Sequence, residues 1–154
     1  MPSPARALDV LPGSVKFLAK RELTWVPLFG PAIQITGQIA VLSIHPSLPV
    51  KSVKEFVALA KARPNEILYS TAGNGSIPHM SMALFALMTK TQLVHVPYKG
   101  GGPQVIALLA GESQASFATV ASVIQHIKAG RLRALGVSAA QRSNTLPDVP
   151  TVAE

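Results

Sequence analysis

The sequence holds no cysteine, few aromatic side chains and few acids. Without a thiol, disulfide frameworks, thiolate nucleophiles and cysteine-ligated zinc are excluded. The four histidines, His45, His79, His95 and His126, show none of the spacings of metal-binding motifs, and seven acids among 154 residues leave few carboxylates to complete a metal site. Long apolar runs are missing too. The most apolar stretch, residues 27–44, is broken by Pro31, Gln34, Thr36, Gly37 and Gln38 and is too polar to span a bilayer. The N-terminal residues are basic but contain no apolar run of signal-peptide length, so no export signal is expected in the chain as written.

What is present points to a packed layered domain. Nearly half of the residues are apolar and only 14% are charged, which excludes a disordered chain. With one Trp, two Tyr and five Phe, the core must be built mostly from Ala, Val, Leu and Ile. The formal charge of +7 calls for an anionic partner to be considered. Its carriers are scattered, however, with no cluster beyond Lys20-Arg21 or the spaced Lys128, Arg131 and Arg133. Nucleic-acid binding needs a basic stripe interleaved with aromatics, and this sequence has neither. A small anion fits the same charge.

From Gln38 onward, strand-like and helix-like runs alternate. Residues 38–44 read as a strand. Ser52 and Glu55 have the spacing of a capping box, and a helix is expected from Val53 to about Ala62, stopping before Pro64. Strands follow at residues 67–70, 93–96, 115–118 and 132–138, with helices at 77–88, 103–110 and 121–129; Gly130 is placed to cap the last of these. Residues 144–150 are turn-rich. The alternation predicts an α/β fold with a mainly parallel sheet flanked by helices. Residues 1–37 lack this rhythm and are expected to form an irregular segment, non-native or left from a larger context, while 38–154 form the α/β lobe.

In such sheets ligands sit beyond the carboxyl ends of the strands, which selects three loops. In Thr71-Ala72-Gly73-Asn74-Gly75-Ser76 the glycines permit close approach and Ser76 can cap the next helix, so free amides and the helix dipole would form an anion pocket. The loop matches neither a Walker A motif nor the dinucleotide fingerprint, and an ordinary capped turn explains it equally well. Neither Ser70 nor Ser76 stands in the G-x-S-x-G setting of a nucleophile elbow. His79 lies three residues from Ser76, but no acid near them could orient an imidazole base. The second loop, Tyr98-Lys99-Gly100-Gly101-Gly102, again offers amides and adds a lysine. The third offers the hydroxyls of Thr119 and Ser122, either of which serves equally well as a helix cap.

Taken in order, SLPVKSVKEFVALAKARP, YSTAGNGSIPHMSMALF, VHVPYKGGGPQVIALLAGESQ, HIKAGRLRALGVS and RSNTLPDVPTVAE resemble the middle portion of the substrate-binding receptors of tripartite tricarboxylate transporters, the Bug family. The likeness covers about residues 38–154, with VPYKGGGP and LPDVPTVAE weighing most. It implies a type II periplasmic binding-protein fold, in which two α/β lobes close on a small carboxylate. This chain would be the inserted second lobe of a truncated receptor. It implies no catalysis and no cofactor. The partners it implies are a di- or tricarboxylate, an amino acid or a similar acid, together with membrane transporter subunits, in the periplasm. Carried over by position, Ser70, Thr71, Ala72, Gly73, Asn74, Gly75, Ser76 and His79 match the family's second-lobe ligand loop and the helix that follows it. Tyr98, Lys99, Gly100 and Gly101 match the next loop. At the third, where many members have Phe-Asp-Asn, this chain has Phe117-Ala118-Thr119. A small hydrolase using Ser76 and His79, or a basic protein-interaction domain, are the rival readings.

Overall fold

The computed structural model describes residues 39–139 and 141–153. The expectation for residues 1–37 lies outside them. Among the described residues nine elements alternate: β1 (Ala40–Ile44), α1 (Val53–Ala62), β2 (Leu68–Thr71), α2 (Ile77–Thr89), β3 (Val94–Pro97), α3 (Gly101–Ala110), β4 (Ala115–Thr119), α4 (Val120–Lys128) and β5 (Arg133–Val137). Local chemistry sets their limits. Ser52 accepts the Glu55 amide at 3.1 Å, and the Glu55 carboxylate reaches back to the Lys51 amide at 2.7 Å, so the capping box forms with its return bond one residue earlier than usual. α4 ends where Gly130 turns to a φ of +72°.

The strands lie in the order β3-β2-β4-β1-β5. β2 pairs in parallel with both β3 and β4, whereas β1 is antiparallel to β4 and to β5. Four strands therefore point one way and β1 points the other, within a mainly parallel sheet. An apolar run buried on both faces reads alike in either direction, which is why the pattern of residues 38–44 announced a strand and not its sense. Between Leu42 and Ser43 the register with β5 slips by one residue.

The sheet separates two apolar layers. On one face Phe56 of α1 and Met82 and Phe85 of α2 pack on Leu42, Ile44, Tyr69, Phe117 and Leu135. On the other, Val105 and Leu108 of α3 and Val123 of α4 pack on Val41, Ala118 and Val137, and Leu146 and Val149 of the C-terminal segment join them. The chain moves outward from β2 to the edge strand β3 and then back to β4. Crossovers of one hand place α2 and α3 on opposite faces under that path. Both helices nevertheless begin at the same end of the sheet, just beyond the carboxyl ends of β2 and β3.

That end is fixed from beneath by a buried polar cluster. The Gln104 side-chain amide donates to Ser116 Oγ at 2.5 Å and to the Phe117 carbonyl at 2.8 Å. Ser116 Oγ donates to the Ser70 carbonyl at 2.8 Å, and Ser70 Oγ to the Gln104 carbonyl at 3.3 Å. The first turn of α3 is thereby pinned to β2 and β4 together.

Candidate functional site

The loop after β2 owes its shape to two glycines and a cap. Gly73 and Gly75 take φ values of +125° and +75°, and the first lies in a region closed to residues with a Cβ. Ser76 caps α2: its Oγ accepts the His79 amide at 3.4 Å and donates to the Gly73 carbonyl at 2.6 Å. The His79 ring folds back over the turn, and its Nδ1 accepts the Gly75 amide at 3.0 Å.

The loop after β3 is sewn to this one. Tyr98 N–H donates to the Thr71 carbonyl at 2.9 Å and Gly100 N–H to the Ala72 carbonyl at 3.2 Å, while the Tyr98 carbonyl passes 3.4 Å from where a Cβ on Gly73 would lie. α3 then begins without any side-chain cap, behind Gly100 at a φ of +106°. The Gly101 and Gly102 amides find no acceptor among the described residues, and neither do those of Asn74 and Ile77 in the first loop. Two helix N-termini thus open at the carboxyl ends of neighbouring strands, each with its positive dipole end outward.

The candidate residues divide by what their side chains do. Asn74, Gly75, Lys99 and Gly101 are exposed, and Ala72, Gly73, Ser76, His79 and Gly100 are partly so. Ser70 and Thr71 are fully buried and hold the loop from below. Tyr98 turns its ring away and donates its hydroxyl to the Glu112 carboxylate, past the far end of α3, at 3.2 Å; burial and that carboxylate push the hydroxyl's pKa up. What Tyr98 presents to the loops is its backbone. Thr119 stands at the carboxyl end of β4, beside β2 in the sheet. Its hydroxyl donates to Ser122 Oγ at 3.1 Å instead of capping α4, and Ser122 in turn donates to the Thr119 carbonyl. No bond joins Thr119 to the first two loops among the described residues.

His95 on β3 was not singled out from the sequence. It stacks face to face on His79, with centroids 4.1 Å apart and planes 4° from parallel, and on Tyr69 at 5.1 Å. Its Nε2 lies 2.6 Å from Thr71 Oγ1, which also accepts the Gly73 amide at 3.3 Å. Burial, and then the neighbouring His79, hold its pKa below the usual histidine value. The signal was available in part: Tyr69 and His95 are cross-strand partners, a pairing that becomes visible only once β2 and β3 are known to be neighbours.

Chemically the arrangement suits holding over reacting. The Ser76 proton is directed at a carbonyl, and the His79 nitrogen on that side is already an acceptor, so no serine–histidine base pair exists. No metal-binding cluster and no helix long and apolar enough to cross a membrane occur among the described residues. A depression of about 530 Å³ beside Ile39 and residues 141–145 involves none of these loop residues.

An α/β lobe with capped and open helix N-termini gathered at one sheet end has the character of a binding module. The family model described as tripartite tricarboxylate transporter family receptor matches residues 14–154, and the chain belongs to that family. It is 40% identical over 123 residues to protein BugT of Bordetella pertussis, an alignment covering 79% of this chain and 38% of BugT. Among solved structures it resembles Rpa4515 of R. palustris with adipate, at 34% identity and a TM-score of 0.73, covering 75% of this chain and 39% of that one. It also resembles MatC from Rhodopseudomonas palustris with bound malate, at 25% identity and a TM-score of 0.71, covering 74% and 39%. The chain spans about two fifths of the length of these relatives. The family is one of receptors, not enzymes.

Proposed function

We propose that this chain forms one wall of a carboxylate-binding cleft in an extracytoplasmic solute receptor, the wall that a second lobe closes on. The carboxylate lies against the amides of Asn74, Ile77, Gly101 and Gly102, with Gly75, Ser76 and His79 shaping the rim and Lys99 adding charge beside it. Thr119 borders the same end from β4. The observation that carries this reading is the joining of two loops by backbone hydrogen bonds, each loop leading into a helix whose first amides find no acceptor among the described residues. The bound ligands of Rpa4515 and MatC, adipate and malate, support a small di-acid as the class. In this reading the loaded receptor hands its ligand to membrane transporter subunits in the periplasm, and a lone wall binds more weakly than a closed cleft because it desolvates one side of the ligand.

Titration calorimetry of the chain against mono-, di- and tricarboxylates tests the reading. Gly75→Asp and Gly75→Asn are the paired variants, since a Cβ at Gly75 meets nothing within 4 Å and Asp and Asn, alike in size, bear the same strain at its positive φ and differ in charge. Saturable binding lost in the Asp variant and kept in the Asn variant is expected. Binding that ignores the added charge would place the ligand elsewhere.

A further inference from the structure

We propose that His95 is a positioning residue for carboxylate capture, fixing the 71–76 loop through Thr71 on one side and through His79 on the other. The inference rests on the site proposed above. His95 itself stands beneath the loop, on a strand, and its ring is the middle member of a column formed by Tyr69, His95 and His79. Three elements contribute to that column: β2, β3 and α2.

Each imidazole is hydrogen-bonded to the loop. His79 Nδ1 takes the Gly75 amide, so it carries no proton there. His95 Nε2 lies 2.6 Å from Thr71 Oγ1, whereas the Gly73 carbonyl is 3.4 Å from the same hydroxyl. With His95 protonated at Nδ1, the short contact takes the hydroxyl proton and leaves Oγ1 lone pairs for the Gly73 amide; with Nε2 protonated, the ring donates to Oγ1 and the hydroxyl proton goes to the Gly73 carbonyl. Charging His95 makes Nε2 a donor to Thr71 in either case, and puts a cation against the face of a second imidazole. Tyr69 from β2 and His79 from α2 are the titratable groups against the ring, and no carboxylate among the described residues acts on it.

The test uses the full chain and three substitutions. His95→Phe keeps a ring in the column and loses the bond to Thr71; His95→Gln keeps a polar group near the Nε2 position and loses the ring; Thr71→Val removes the hydroxyl. In ligand-free ¹H–¹⁵N spectra, the Gly73 and Gly75 amides are expected to move in His95→Phe. Thr71→Val should move Gly73 alike, and the double variant should add little. As pH falls below about 6.5, where a histidine whose pKa is lowered takes up its proton, the Gly73 amide should titrate in the unaltered chain and stop titrating in His95→Phe. Affinity for adipate or malate should fall by about fivefold to tenfold in His95→Phe, the worth of one hydrogen bond, and partly return in His95→Gln. Unmoved glycine amides in a folded His95→Phe variant, or a Gly73 titration that survives it, would overturn the proposal. A chain that binds neither acid overturns the functional reading instead, and the role of His95 is then decided by the ligand-free amide signals alone.

Discussion

Replacing Gln104 by Met tests how the end of the sheet that carries the site is held. Gln104 is 2% exposed, and its amide spans from α3 to Ser116 Oγ and the Phe117 carbonyl of β4. Methionine keeps a similar length and volume, so packing is nearly conserved and the hydrogen bonds are isolated. Each bond contributes about 0.5–1.5 kcal/mol net, and leaving a buried acceptor unpaired raises the loss to about 1–3 kcal/mol. Ser116 keeps its bond to the Ser70 carbonyl, which limits the damage. A loss of about 2 kcal/mol is expected. In urea, where the slope for a domain of this size is about 1–3 kcal/mol per molar, the midpoint should fall by about 1 M with an unchanged slope. Ser116→Ala in the same background should cost less than it does alone, with a coupling of about 1 kcal/mol. A midpoint shift below about 0.3 M, or strict additivity, would refute the claim that this cluster pins α3 to the sheet.

Other outcomes follow from single residues. Phe85→Ala, which empties a fully buried position between Phe56 and Phe117, should cost about 3–5 kcal/mol by thermal or urea unfolding. A Cβ on Gly136 would lie 2.9 Å from Val152 Cγ2 and 3.1 Å from its Cα, so Gly136→Ala should destabilise by about 1–3 kcal/mol, with Val152→Ala relieving only part of it because backbone is also struck. Ser76→Ala removes the cap of α2 and should cost about 1 kcal/mol while weakening ligand binding. The pKa of His95 is lowered in the folded chain from 6.5, so below about pH 6.5 the unfolded chain binds more protons and folding stability falls as pH falls. Urea midpoints at pH 7.5 and 5.5 should differ less in His95→Phe than in the unaltered chain.

Much of the fold could be read from local signals. Ser52 with Glu55, Pro64 after α1, Pro103 in the first turn of α3, and Gly130 after α4 each act through neighbours in the chain, and each marked an element correctly to within a residue or two. The reversed sense of β1 was hidden because direction depends on which strand it joins. The loops of the candidate site were legible for the same local reason, as glycines and a serine between a strand and a helix. What their side chains do was not. That Ser70 and Thr71 face inward, and that the Tyr98 hydroxyl is spent on Glu112, follow from pairings between residues 14 to 34 positions apart. The contacts of His95 with Thr71 and Tyr69 were concealed by similar distances in sequence.

The central claim is one of place: a carboxylate held by amides of two joined loops. The most direct measurement is the ¹H–¹⁵N spectrum of the full chain titrated with adipate and with malate. The account predicts that the amides of Asn74, Ile77, Gly101 and Gly102 move first and furthest, with saturation. Shifts confined to Ile39 and residues 141–145, which line a depression away from these loops, would contradict it.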